Sequence, residues 1–496
     1  MPANSPRVPE LRVVARNPRA VRKAGDYVLY WMTANRRTGW NFALDRAVEL
    51  AAGLDKPLLV FEALRVGYRW NSDRLHRFVL DGMRANHAAC AAAGVAYYPY
   101  VEPEEGAGSG LLEALAQRAA VVVTDDFPCF FLPRMVASAA AKLPVLLESV
   151  DANGLLPMRA AEAPYPTAYA FRRFLQKSLK PHLLEAPLEH PLEAAARLGD
   201  VVAVAPGIEK RWPRATAQLL EGDAGLLAAL PIDHAVRVAP KTGGSEAAAL
   251  ALRQFVRHKL PRYAEERGDV SEDIASGFSP WLHFGHLSTH QILASIARIE
   301  AWTPARIATT TSGKKDGWWN LSPSGEAFLD ELVTWRELGF NLASKRDDHD
   351  RYESLPAWAR QTLDEHTGDR REHVYSLEEF ERAETHDELW NCAQRQLVRE
   401  GRIHNYLRML WGKKILEWTR DPRAALEVMI ELNNRWALDG RDPNSYSGIL
   451  WTLGRYDRPW GPVRKIFGTI RYMSSDNTAR KMDVKPYLGK FAASAS

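Results

Sequence analysis

The sequence predicts an α/β N-terminal domain on a five-stranded parallel, Rossmann-like sheet, followed by a larger all-helical C-terminal domain. Three observations predict it. Between residues 27 and 150, five short apolar runs alternate with Ala-rich helical stretches. From residue 246 onward, apolar residues recur at helical spacing with little interruption. Twelve of the sixteen tryptophans lie at or after Trp281, so most of the large aromatic surface belongs to the second part. At 496 residues the chain is also too long for one ordinary core.

Residues 1–26 carry basic groups but no apolar segment, so they read as an N-terminal extension and not as a secretory signal. The five runs are Tyr27–Met32, Pro57–Glu62, Val95–Val101, Ala120–Asp125 and Pro144–Val150. Helical patterns such as Asn41–Ala52 and Asp73–Ala93 separate them. Strands apolar on both faces and joined through helices form a parallel sheet covered on both sides. Such sheets take ligands beyond the carboxyl ends of their strands. No GxGxxG follows the first strand; Thr33–Gly39 stands there, and a ligand loop and a plain connection are both open readings. This domain is expected to span 27–155. Residues 156–245, rich in Ala, Pro and Leu, read as a partly helical interdomain linker, and 246–496 as the helical domain. Its helical spacing is clearest in Ala248–Leu260, Leu287–Trp302, Ala327–Leu342, Leu389–Val398, Ile403–Trp418 and Arg423–Leu432. Gly401 would let two of these fold back as a hairpin.

Apolar content of 46% and charged content of 25% describe a water-soluble globular chain. No apolar run reaches the roughly 18 residues a membrane span needs. Three scattered cysteines give neither a metal spacing nor a disulfide framework, so no metal is expected and a cytoplasmic location is (nucleoid-associated in a bacterium). The net charge of +4 conceals an asymmetry: residues 401–496 hold 17 Lys and Arg against 9 Asp and Glu. That excess suggests a polyanion on one face; a solvated basic surface is the plainer reading.

Chemistry concentrates near the C-terminal end. Trp411 and Trp418 are seven apart, two helical turns or about 10 Å on one face. Trp390 lies on the preceding helix across Gly401. Indoles are readily oxidised by one electron, so the three suggest a route to a bound redox cofactor, although tryptophans at helical spacing more often pack cores. Arg408 and Asp439 are candidates for a charge-assisted pair beside that cofactor or for a structural salt bridge. Asn433 and Asn434 offer amides that donate and accept, as a heteroaromatic ring edge requires. Residues 440–445 are turn chemistry.

Longer motifs go further. THDELW (385–390), NYLRMLWGKKILEW (405–418), LNNRWALDGRDPNSYSG (432–448) and GTIRYMSS (468–475) resemble class II cyclobutane pyrimidine dimer photolyases. SGFSPWLHFGHLS (276–288) and FLDELVTWREL (328–338) fit the same family. The resemblance covers the helical domain almost continuously and the N-terminal domain more loosely. It implies one folded FAD in the helical domain, reduced for repair; some relatives also hold an antenna chromophore, whose presence and identity stay open here. By that match Tyr263 and Ala275, Ser276, Gly277, Phe278 and Ser279 would hold the FAD phosphates. Asn433 would face flavin N5, and Arg408 and Asp439 would flank the ring. The relay would run from Trp411 through Trp390 to Trp418 at the surface.

The substrate implied is double-stranded DNA carrying a pyrimidine dimer, flipped into the pocket. Glu331 would hydrogen-bond the dimer, Trp335 and Trp451 would receive its bases, and Met409 would touch them. Arg267 matches an arginine near the lesion. Asp457, Arg458 and Trp460 match the tip of a hairpin that fills the gap in the duplex, and Arg471 falls in the basic segment behind it. A monomer is expected. Three departures stand out: Gly268 replaces a usual Asn, NRRTGWN (35–41) stands where the family has an ArgAspGln-type run ending in AspAsn, and Ala301–Gly325 is longer than the family pattern. The alternative function is a cryptochrome-like blue-light receptor without repair activity.

Overall fold

The computed structural model describes residues 8–199, 201–270 and 273–493. The chain divides into two compact units. The first comprises 1–161, 178–253 and 278–305, and the second 162–177, 254–277 and 306–496.

The first unit is built on a sheet of six strands, β1 (Val13–Ala15), β2 (Tyr27–Met32), β3 (Leu58–Leu64), β4 (Ala96–Val101), β5 (Ala119–Asp125) and β6 (Leu147–Val150). Their order is β1-β6-β5-β2-β3-β4. Strands β2 to β6 are the five expected runs and pair in parallel. The expected count of five is corrected by β1, which pairs antiparallel with β6 through Val13 and Val150. Three residues are too few to show a period, and β1 covers a sheet edge that would otherwise stand open. Alternation along β2 sorts its side chains. Val28, Tyr30 and Met32 join Ala43, Ala47 and Ala51 of helix α1 (Phe42–Leu54). Tyr27, Leu29 and Trp31 join Leu115 of α3 (Leu111–Ala116) and Val136 of α4 (Leu132–Lys142), while α2 (Asp73–Ala93) carries Val79 and Met83 into a third cluster.

The loop after β2 is an internal connection. The backbone N–H groups of Thr33, Ala34 and Asn35 donate to Asp125 Oδ2 at 2.7, 2.8 and 3.0 Å. Tyr30 donates its hydroxyl to the other oxygen at 2.8 Å. A nest of three N–H groups would suit an external anion, but the chain fills it with its own carboxylate.

The stretch expected as a linker divides between the units. Its Leu220, Leu227 and Leu230 are buried beside Leu64, Val79 and Met83 of the first unit.

The second unit carries α5 (Arg336–Lys345), α6 (Glu388–Glu400), α7 (Asn405–Trp418), α8 (Pro422–Trp436) and α9 (Pro443–Thr452). Their ends follow the sequence closely. Asp421 and Asp442 each cap a helix that begins with proline, accepting from Ala424 N at 2.8 Å and Asn444 N at 2.9 Å. The 440–445 turn is therefore the start of α9. Gly401 ends α6 at φ +70, the left-handed conformation that lets α7 turn back. Ahead of α5, Asp330–Trp335 forms a π-helical turn continuous with the α-helical residues on either side. Such turns widen a helix locally and recur at functional sites.

A close backbone seam joins α5 to α9. A Cβ on Gly339 would lie 2.8 Å from Asn444 Cα and 2.9 Å from its nitrogen. Backbone cannot retreat as a side chain can, so Gly339→Ala is expected to lower unfolding free energy by about 1–3 kcal/mol in urea titration. Unchanged stability would show that the seam relaxes freely. Among the described residues, no helix is long and apolar enough to cross a membrane, and no group of His, Cys, Asp and Glu could hold a metal ion.

Candidate active site

The hairpin of α6 and α7 places the three indoles in a row. Trp390 lies in the first turn of α6, where the Asp387 side chain accepts from its backbone N–H at 3.0 Å. Its ring lies parallel to that of Trp411 (6.5 Å between centroids, 2° between planes) and edge-on to that of Trp418 (6.0 Å, 70°). Trp390 therefore stands between the other two. Both inner indole N–H groups are satisfied inside the protein: Trp390 donates to the Trp411 carbonyl at 3.0 Å and Trp411 to Gln394 Oε1 at 2.9 Å. Trp418, expected at the surface, is instead 3% exposed. Tyr375, His386 and the Lys414 ammonium cover it, with ring centroids at 5.8 and 4.9 Å and Nζ 5.2 Å from its ring.

The end of α8 and the start of α9 form a buried polar wall. Asn433 donates to Ser445 Oγ at 2.8 Å, Asn434 donates to the Tyr446 hydroxyl at 3.1 Å, and Arg441 N donates to Asn434 Oδ1 at 2.8 Å. Arg408 on α7 reaches Asp439 at 3.3 and 3.4 Å, a loose two-oxygen pair. Met409 beside it is half-buried. So many buried amides and charges would be costly in a purely apolar bundle, and they suit the edge of a polar ring system.

A second polar group forms around the π-helical turn. Arg267 Nη1 donates to Glu331 Oε1 at 2.9 Å, and its guanidinium lies 5.6 Å from the Tyr263 ring centroid. Burial raises the Glu331 carboxyl above the ordinary carboxylate range, and the Arg267 charge only partly offsets this. Burial likewise pushes the Tyr263 phenol up to about 12. Four residues after Glu331, Trp335 lies against Trp451 of α9 (4.7 Å, 21°). The two walls expected to receive bases thus stack on each other.

No family model matches the chain. It is 33% identical over 469 residues to a deoxyribodipyrimidine photo-lyase of Methanothermobacter thermautotrophicus, covering 94% of each chain. The chain belongs to the deoxyribodipyrimidine photolyase family. Membership makes it an enzyme of the photolyase type. A photo-lyase of Oryza sativa subsp. japonica is also 33% identical, over 94% of this chain and 87% of its own. A bacterial class III photolyase from Agrobacterium tumefaciens shares the fold, with TM-score 0.68 and 17% identity over 94% of this chain and 86% of that one.

The remaining expected residues of this photolyase-family chain fall into two places. Ala275, Ser276 and Gly277 belong to the second unit and Phe278 and Ser279 to the first. Lys259 Nζ donates to the Ala275 carbonyl at 3.5 Å, while Tyr263, one turn later, packs edge-on against both Phe255 and Phe328. The hairpin residues gather around Trp460. Its indole N–H donates to Asp457 Oδ1 at 2.9 Å, and Arg458 and Arg471 lie over its ring at 4.8 and 5.1 Å.

Sequence reasoning missed the residues that hold these groups. Gln394 lies one helical turn after Trp390, so its spacing was a usable signal. Lys413 gave none. It is buried, donates to the Thr452 carbonyl at 2.5 Å and so fixes the end of α9 next to Trp451. Burial lowers its ammonium to about 7; Asp457 opposes the shift and Arg471 adds to it.

Proposed function

We propose that this chain repairs cyclobutane pyrimidine dimers in duplex DNA, in the manner of class II photolyases, by light-driven electron donation from reduced FAD. One observation carries the reading: a single π-helical turn presents a carboxyl of raised pKa, Glu331, and an indole, Trp335, with Trp451 stacked on that indole. A flipped dimer needs that combination, a hydrogen-bond donor for its carbonyl oxygens and flat apolar surface for its rings.

The buried polar wall fits FAD by its donor set. Asn433 would face the flavin, the Arg408–Asp439 pair would flank it, and Tyr263 with Ala275, Ser276 and Gly277 would hold its phosphates. Bound and reduced, FAD would supply the light-excited electron that opens the cyclobutane ring and would recover it afterwards. The chain's own residues do the rest. Glu331 would hold its proton against the dimer and stabilise the negative charge that arrives there. Arg267 would orient that carboxyl through the 2.9 Å contact. Asp457, Arg458 and Trp460 would occupy the gap in the duplex, and Trp411, Trp390 and Trp418 would carry electrons inward to bring the cofactor to its reduced state.

The test is illumination of protein with chemically reduced flavin on a duplex containing one defined dimer. The expected result is dimer loss under near-UV or blue light and none in darkness, with FAD in the extracted cofactor spectrum. Loss in darkness, or none under light, would overturn the reading, and the second outcome would favour a blue-light receptor.

A further inference from the structure

We propose that Ser312–Gly317 and the exposed face of residues 169–177 form a second contact surface for the phosphates of duplex DNA, beside the lesion pocket. This rests on the repair reading for its partner. The segment lies inside the long 301–325 stretch, yet it is not a slack loop. Gln176, buried, accepts from Gly313 N at 2.7 Å and donates to the Lys314 carbonyl at 2.8 Å. Arg172 Nη1 donates to the Gly313 carbonyl at 3.3 Å, and Tyr169 donates to the Ser312 carbonyl at 3.3 Å. On its far side Trp318 and Trp319 are buried edge to face at 4.9 Å.

The clamp holds an exposed basic strip. Lys314 and Lys315 on the segment, and Arg173 and Lys177 one helical turn apart beside it, are all exposed. Arg173 Cβ lies next to the position a Cβ on Gly313 would take, so loop and helix present one surface. No carboxylate pairs with any of the four among the described residues, and Asp316 is the acid of the segment. Four like charges without internal partners make a positive surface that a polyanion would complement. The strip is also tied to the pocket. Arg172, which holds Gly313, grips Asp330 through two hydrogen bonds of 2.7 and 2.9 Å, and Asp330 immediately precedes Glu331. A duplex carries a phosphate charge about every 1.7 Å of its axis, so the backbone flanking a lesion held at Glu331 would offer phosphates to this strip.

Equilibrium binding of the full-length holoprotein to dimer-containing and undamaged duplexes across a salt series tests the proposal. Lys314→Ala/Lys315→Ala, and separately Arg173→Ala/Lys177→Ala, are expected to flatten the plot of log affinity against log salt by about 2. Both duplexes should weaken alike, and repair of saturated dimer DNA should be unchanged. Gln176→Leu keeps every charge but frees the clamp, and should lower affinity at an unaltered slope. Unchanged slopes in both double variants would overturn the proposal, as would wild-type binding by Gln176→Leu. If the slopes fall but no dimer is ever repaired, the surface stands and the repair reading fails. If repair proceeds with unchanged slopes, only the surface fails.

Discussion

Glu331→Ala is expected to lower dimer repair per absorbed photon by about tenfold, the size of losing one hydrogen bond to a charged group. Glu331→Gln should retain most of that activity, because an amide still donates. The pH dependence has a definite sign. Burial raises the carboxyl, so it stays protonated at pH values where an ordinary glutamate has ionised. Repair should therefore fall as pH rises through that raised value, when the donor becomes an acceptor facing an incoming negative charge. The Gln variant has no proton to lose and should show a flat profile over the same range. Arg267 sits 2.9 Å away and stabilises the ionised form, so Arg267→Ala should move the fall to still higher pH. Quantum yields measured with chemically reduced flavin would settle each point. A Glu331→Ala protein repairing like wild type would remove Glu331 from the chemistry.

The second large effect concerns photoreduction. Trp411→Phe and Trp390→Phe should each abolish light-driven reduction of the flavin in the presence of an external thiol, since a phenyl ring is not oxidised in indole's place. Both variants should still repair dimers when the flavin is reduced chemically. The central position of Trp390, with neighbours at 6.5 and 6.0 Å, makes it as indispensable as Trp411. Trp418→Phe should be milder, because the two inner indoles remain. Absorbance under anaerobic illumination reads the difference, and normal photoreduction by Trp390→Phe would eliminate the row as the route.

Much of this was legible in the sequence, for identifiable reasons. Strands β2 to β6 could be read because doubly buried strands leave unbroken apolar runs. Strand β1 could not, since Val13–Ala15 is an edge strand of three residues whose place depends on Val150 far along the chain. Long motifs named Glu331, Trp335, Asn433 and Asp439, but spacing could not foresee how they meet. The family match puts Trp418 at the surface, and nothing local to its helix announces Tyr375 and His386 as its cover. The π-helical turn was invisible as well, for its extra residue per turn leaves no compositional mark. Gln394 alone could have been found by counting one turn from Trp390. Lys413 reads as a solvated helix lysine until the fold buries it against Thr452.

The indole pair of Trp335 and Trp451 has a consequence for how damage is found. At 4.7 Å the two faces occupy each other, and the seam at Gly339 holds their helices together from behind. An undamaged base would have to leave its partner, leave its stack and then separate two aromatic rings that already satisfy one another. A dimer has largely lost the first two restraints, so only the third remains for it. On the repair reading, the pocket works as a latch that sound DNA lacks the leverage to open. On that reading intact duplex would leave the two rings stacked, and only a dimer would part them.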